Sequence, residues 1–250
     1  MAGRGSRFAG YLLPKPLIEL EAGHPMIEYI LDFLDIDEPH ETIFVVRREH
    51  ERDFAISHRL RGFVPNAKFV FIDHDTLGPA DSALRAAKEV LADDEVVVAY
   101  CDQFLGVSFA AFLSHARRRH ADGALLLCPS SIPTESYAVV DDRGEVLRTA
   151  EKQVISHLAT TGFYYFRRAR DLFDAAEGAT EKWRPGDPEL FVSPLYNDLI
   201  AKGLTVTSMP IKVNERFDAG TPERRTDVVR RLAQREIARV GSSGESSDRG

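Results

Sequence analysis

Val96-Val97-Val98-Ala99-Tyr100-Cys101-Asp102 is an apolar run that ends on a carboxylate. The run reads as a strand, and an acidic residue directly after it lies at the carboxyl edge of a parallel sheet, where α/β proteins gather their ligands. Further apolar strands fall at 42–46, 68–72 and 124–127, with helical stretches between them at 48–61, 80–92 and 107–119. Strands alternating with helices indicate βαβ units and a mainly parallel sheet. Upstream, the spacing predicts an amphipathic helix over 25–35 that starts at its proline. No internal repeat interrupts the pattern.

Downstream of Ser136 the pattern changes. Ser136–Val140, the turn Asp141-Asp142-Arg143-Gly144 and 145–149 form a hairpin, followed by a strand at 161–167 and a helix near 168–176. A helix over 189–202 is capped by Gly203, strands return at 204–209 and 211–213, and 222–240 is a long charged helix. The second half therefore supplies a small accessory sheet that closes over the first. Residues 241–250 carry almost nothing to bury and are expected to be a disordered tail.

The chain has 250 residues, 44% hydrophobic and 28% charged, enough for one α/β core with a small lobe. Its net charge of −7 argues against a general nucleic-acid surface, so any polyphosphate must be held by local cations and a metal. Two cysteines, Cys101 and Cys128, make no disulfide framework and suggest a reducing compartment. No signal peptide or bilayer-spanning apolar run is visible, and the expected location is cytoplasmic. The eight histidines show no metal-binding spacing, and His115 and His120, beside Arg117, Arg118 and Arg119, read as a solvated or interface face. Ser6 has no Ser/His/Asp context for hydrolase chemistry. Trp183 and the 181–187 loop fit a lid or a subunit contact equally, and oligomeric state is left open.

The opening of the chain carries phosphate chemistry. It reads Met1-Ala2-Gly3-Arg4-Gly5-Ser6-Arg7-Phe8, followed by Pro14-Lys15-Pro16-Leu17. Gly3 and Gly5 permit positive φ and close backbone approach, so that successive N–H groups can face phosphate oxygens. Arg7 adds a planar, permanently charged fork, and Lys15 a compact cation whose backbone is restricted by the prolines on both sides. The order is not that of a P-loop, and the third glycine of a dinucleotide fingerprint is missing. Taken alone, Gly3-x-Gly5 is equally an ordinary glycine-rich turn.

The whole string, with Gly23-x-Pro25-Met26-Ile27 beyond it, resembles the signature of the sugar-phosphate nucleotidylyltransferases, in the branch found with capsule and surface-polysaccharide genes. The resemblance implies a Rossmann-like, GT-A-type fold as a single domain over 1–240, with an NTP-binding half to about residue 130 and an acceptor-binding half from 131. It implies a Mg²⁺-dependent reaction in which an NTP and a phosphorylated acceptor, a sugar 1-phosphate foremost, give a nucleotide-linked product and pyrophosphate. Arg7 and Lys15 become the catalytic cations, with Ala2, Gly3, Gly5 and Ser6 on the nucleotide phosphates. Asp102 matches an acidic metal ligand, and Asp218, in Phe217-Asp218-Ala219-Gly220-Thr221, matches a second one that would share the Mg²⁺. Gly78 corresponds to a glycine against which the nucleobase packs. Glu151 and Lys152 match an acceptor-binding pair, although Gln153 stands where the family has proline, and Gly162 and Tyr164 match the segment that shapes the acceptor pocket.

Blander readings stand beside these. Asp102 is also placed to cap a helix, Asp218 to shape a turn before a Thr221 cap, Gly78 to make a strand-to-helix turn, and Glu151-Lys152 to form a solvated ion pair. A GT-A-fold glycosyltransferase and a non-catalytic nucleotide-sugar-binding regulatory subunit are the rival functions. The first would need Asp-x-Asp where this chain has Asp102-Gln103-Phe104. The family carries an apolar strand before the corresponding Met-Ala-Gly. The expectation is accordingly that translation starts upstream of Met1, in preference to a trimmed chain or a sheet with an empty slot.

Overall fold

The computed structural model describes Phe8, residues 10–34 and residues 36–244, with those from 235 onward as backbone only. The predicted roles of Ala2, Gly3, Gly5, Ser6 and Arg7 therefore fall outside the described residues.

A short hairpin, β1 (Glu19–Glu21) and β2 (His24–Pro25), leads into helix α1 (Met26–Leu34). Then come β3 (Ile43–Arg47), α2 (Arg48–Phe54), α3 (Ile56–Arg61), β4 (Lys68–Ile72), α4 (Pro79–Leu84), β5 (Val96–Ala99), β6 (Gln103–Leu105) and α5 (Phe109–Arg118). The second half contributes β7 (Gly123–Pro129), the hairpin β8 (Ser136–Val140) and β9 (Val146–Glu151), and the long β10 (Leu158–Phe166). It ends with α6 (Ala169–Lys182), α7 (Tyr196–Ala201), β11 (Val206–Pro210), β12 (Arg216–Asp218) and α8 (Pro222–Gly244). None of the described helices is long and apolar enough to cross a membrane.

The fold is the expected α/β layering, with a mixed sheet at its centre. β10 runs antiparallel to β7 on one edge and to β5 on the other, while β11 lies parallel to β7 and β3 parallel to β4. Successive side chains of β7 and β10 point to opposite faces, so Leu126, Phe163 and Tyr165 pack with α1 and α5. Leu125, Leu127, Tyr164 and Phe166 pack with α6 and α7.

β10 also joins the two halves. Phe163 to Phe166 pair with β5, whereas Ala159 pairs with Tyr137 of the β8–β9 hairpin. Gly162 sits at the changeover with φ +77°, and the β7 pairing shifts register between Thr160 and Tyr164. A left-handed residue here lets one strand serve both the main sheet and the accessory hairpin.

Several elements differ from the periodicity reading. The 48–61 helix breaks at Ala55, which is left-handed at φ +47°. The predicted 189–202 helix forms only from Ser193, because Leu190 is held extended against the Gly78 turn: its N–H donates to Leu77 O at 2.8 Å and its carbonyl accepts from Ala80 at 2.8 Å. Ile211 donates to Leu127 O, but 211–213 then turns into a 3-10 helix at Val213–Glu215, with Glu215 accepting from the Lys212 N–H at 2.7 Å. The α6 helix runs on to Lys182, and α8 continues to Gly244, into the stretch expected to be a tail. Residues 245–250 lie outside the described residues.

Candidate active site

β5 delivers Asp102 to the edge of the sheet, and β6 begins with the next residue. β6 pairs with β12 in an antiparallel register that sets Asp218 opposite Gln103, and the Ala219 N–H donates to the Asp102 carbonyl at 2.8 Å. Two acidic residues far apart in sequence are thereby placed side by side. Gly220 fixes how close they come, since a Cβ on it would lie 2.9 Å from Asp218 Oδ1 and 3.1 Å from Asp102 Oδ2.

Lys15 approaches from the other side. Its 3-10 turn, Lys15–Leu17, is anchored by buried Pro16 and Leu17, and its Nζ donates to Asp102 Oδ2 at 2.5 Å. Burial favours the neutral amine, but Asp102 and, farther off, Asp218 outweigh it and hold the ammonium above the ordinary lysine range. Burial and then the neighbouring Asp102 charge push the Asp218 carboxyl up, against the pull of Arg216 and Arg224. Asp102 Oδ1 is buried and has no hydrogen-bond partner among the described residues. A carboxylate with one buried, unsatisfied oxygen, lying beside a second carboxylate, is a donor set that fits a hard divalent cation, which takes few protein ligands and completes its octahedron with water and phosphate oxygens. Among the described residues no third Asp, Glu, His or Cys joins them.

Glu151, Lys152, Gly162, Tyr164 and Gly78 line the same cavity of about 2120 Å³ as this pair. Glu151 accepts the Ser136 hydroxyl, and burial pushes its carboxyl up. Lys152 adopts φ +53°, its N–H donates to Glu135 O at 3.0 Å, and its ammonium stands 4.7 Å from the centre of the Phe191 ring. A non-glycine residue held left-handed at a cavity wall is strain concentrated where a ligand would bind. A Cβ on Gly162 would press on Tyr100 at 3.3 Å. Tyr164 shares a 3.2 Å hydrogen bond with Thr160, and burial pushes its phenol up to about 12.

Gly78 has φ +146°, and a Cβ there would meet Leu190 O at 2.5 Å. What occupies its open face is thus the protein's own 189–191 backbone.

The family model for the MobA-like NTP transferase domain matches residues 1–179. The chain belongs to the MobA-like NTP transferase family. Solved structures agree. The chain is 27% identical to a nucleoside-diphosphate-sugar pyrophosphorylase from Vibrio cholerae RC9, with a TM-score of 0.74 over 92% of this chain and 98% of that one. It shares 19% identity and a TM-score of 0.73 with a putative glucose-1-phosphate thymidylyltransferase from Bacillus anthracis, over 91% of each chain. With a UDP-glucose pyrophosphorylase complexed with UDP-glucose it shares 15% identity and a TM-score of 0.73, over 94% of this chain and 96% of that one. At these last two identities the likeness is one of fold. No curated protein matches the chain in sequence.

As a nucleotidyltransferase of this family, the protein brings Lys15, Asp102 and Asp218 together, and Glu151, Lys152, Gly162 and Tyr164 line the same cavity. Sequence reasoning missed three charged residues at the same place. Arg216 Nη1 donates to Glu135 Oε2 at 3.1 Å and Nη2 to Gln103 Oε1 at 3.3 Å, while Arg224 donates to Asp218 and lies 3.7 Å from Glu135. The alternation of Arg216 and Asp218 was the available signal, since residues two apart on a strand share a face. It required 216–218 to be recognised as a strand, whereas Glu135, in a loop, had no local signal at all.

Proposed function

We propose that this nucleotidyltransferase joins an NTP to a phosphorylated acceptor, most fittingly a sugar 1-phosphate, and releases pyrophosphate. The observation that carries the reading is the convergence of Asp102 and Asp218 across Gly220, with Lys15 beside them and Glu151-Lys152 lining the same cavity. In this reaction an acceptor phosphate oxygen forms a bond to the α-phosphorus as the bond from that phosphorus to the bridging oxygen of pyrophosphate breaks. The attacking group is already an anion, so the site needs positioned cations more than a strong base. Lys15 is assigned to the α-phosphate and Lys152 to the acceptor phosphate, with Glu151 on an acceptor hydroxyl. Gly162 and Tyr164 shape the acceptor pocket. Arg7, with the backbone of Ala2, Gly3, Gly5 and Ser6, takes the departing pyrophosphate portion, and the base lies along the turn that holds Gly78. Asp102 and Asp218 would hold Mg²⁺, whose chemistry is to neutralise and align the phosphates. The capsule-type branch of the family fits a nucleotide sugar destined for polysaccharide.

The test is a pyrophosphate-release screen of the four NTPs and dTTP against phosphorylated acceptors with Mg²⁺. With the active pair in hand, Lys15→Ala is expected to lower turnover by about a hundredfold or more while the melting temperature changes little. Normal turnover in that variant removes Lys15 from the chemistry, and absence of pyrophosphate with every pair overturns the reading.

A further inference from the structure

Arg224 stands on the first turn of α8, directly above the carboxylate pair. Its guanidinium is divided between two acids, donating through Nη1 to Asp218 Oδ2 and lying through Nη2 3.7 Å from Glu135 Oε1. The other arginine of the cluster is fixed. Arg216 is 10% exposed and bonded to Glu135 and Gln103, with Nη2 also 3.5 Å from Asp218 Oδ2, whereas Arg224 is 32% exposed and is the nearer of the two to that oxygen. On the opposite side Lys15 closes Asp102. Each carboxylate assigned to the metal is therefore already neutralised by a cation with access to the cavity.

These two states of Asp218 exclude each other. A divalent cation on Asp218 Oδ2 cannot share that oxygen with a guanidinium in direct contact, because two like charges would then meet at one atom. Of the two arginines there, Arg224 is the closer and the more exposed and is the one displaced, while Arg216, 3.5 Å away, stays on Glu135 and Gln103. When Asp218 lets go, Glu135 remains as the anchor of Arg224. Glu135 belongs to the acceptor side: its backbone carbonyl accepts the Lys152 N–H at 3.0 Å, and the next residue, Ser136, donates to Glu151.

We propose that Arg224 is a displaceable cation, which holds Asp218 closed in the free enzyme and, when a divalent metal takes Asp218, swings on Glu135 to bind the phosphate of the acceptor. The inference rests on the metal assignment of the proposed function and extends it. It makes metal binding and acceptor binding a coupled pair, since each ligand occupies what the other's arrival releases. It also gives this chain a second acceptor-phosphate cation besides Lys152.

Mn²⁺ titration of the full-length protein, followed by electron paramagnetic resonance without nucleotide, reads the first half directly. Arg224→Ala is expected to bind Mn²⁺ about tenfold more tightly than the wild type, and Arg224→Gln serves if the alanine variant fails to fold. Arg225→Ala is the control for charge alone, because Arg225 lies on the same turn but donates to the Glu19 carbonyl, away from Asp218. Its Mn²⁺ affinity should stay at the wild-type value. Equal affinities in Arg224→Ala and wild type, or an equal gain in Arg225→Ala, overturn the proposal. Inorganic phosphate, titrated with Mn²⁺ present, reads the second half: Arg224→Ala should bind it about tenfold more weakly and Arg224→Lys should recover most of the loss. Unchanged phosphate affinity overturns the hand-over. Asp218→Asn separates the two levels. If it leaves wild-type Mn²⁺ affinity intact, the metal assignment itself fails; if it abolishes binding while Arg224→Ala brings no gain, only the role of Arg224 fails.

Discussion

Gly220 is the residue on which the carboxylate pair depends. Its φ lies outside the left-handed region, so alanine is tolerated by the backbone, yet the new Cβ would meet Asp218 Oδ1 at 2.9 Å and Asp102 Oδ2 at 3.1 Å. Both contacts are with the ends of side chains, which can rotate away at little cost in stability. Gly220→Ala is therefore expected to change the melting temperature by a few degrees at most while Mn²⁺ affinity falls about tenfold, as it does when groups that orient metal ligands are disturbed. Retained affinity would show that the two carboxylates do not act on one ion. At this scale the sequence was legible where chemistry and local position coincide: Asp102 follows an apolar strand, and Asp218 sits in a recognisable turn. Arg224 was not legible, because nothing in Pro222-Glu223-Arg224-Arg225 tells which arginine of a charged helix faces inward. Only the β6–β12 pairing decides that.

Among the elements, the strands of the first half follow their periodicity, whereas the 48–61 helix breaks at Ala55 and the 80–92 helix ends at Leu84 before a 3-10 turn at Ala87–Glu89; the departure at 189–202 has a tertiary cause. The 189–202 stretch has helical composition, but its first residues are recruited by the turn before α4, with Leu190 bonded to both Leu77 and Ala80. That recruitment requires Gly78 to stay glycine. Alanine there combines φ +146° with a Cβ 2.5 Å from the Leu190 carbonyl oxygen, and backbone cannot move aside as a side-chain tip can. Gly78→Ala is expected to destabilise the fold by about 2–4 kcal/mol, measured by urea unfolding. A cost near zero would show that the 188–191 segment is not held against the turn in solution. The strand β12 and its partner β6, each three residues long, were missed for the opposite reason. They are too short to show a period, and their pairing is specified by Phe104 stacking on Phe217 at 4.9 Å rather than by any local propensity.

In the whole molecule, β3 and β5 each have one edge that no described strand covers. β3 pairs with β4 and β5 with β10, and among the described residues no strand lies against their other edges. The cavity that Asp102 and Asp218 line is also lined by Phe44 and Val45 of β3 and by Val97 and Val98 of β5. Burial records the same thing: every residue of β7 from Gly123 to Cys128 is buried, whereas all four residues of the equally apolar β5 are only half-buried. Phe8 lines the same cavity. Each backbone N–H or C=O left unpaired in such an interior costs roughly 1–3 kcal/mol, against a total domain stability of about 5–15 kcal/mol. Adding a short apolar, β-branched segment ahead of Met1 is thus expected to raise the melting temperature by ten degrees or more on the order-of-magnitude relation between stability and melting. An extension of the same length made of glycine and serine should leave it unchanged, since it offers backbone without apolar side chains to fill the cavity. Comparing the two extensions by calorimetry separates slot-filling from mere lengthening. Identical melting of both would mean that the edges of β3 and β5 are already satisfied, and that the space between them is not a strand's place.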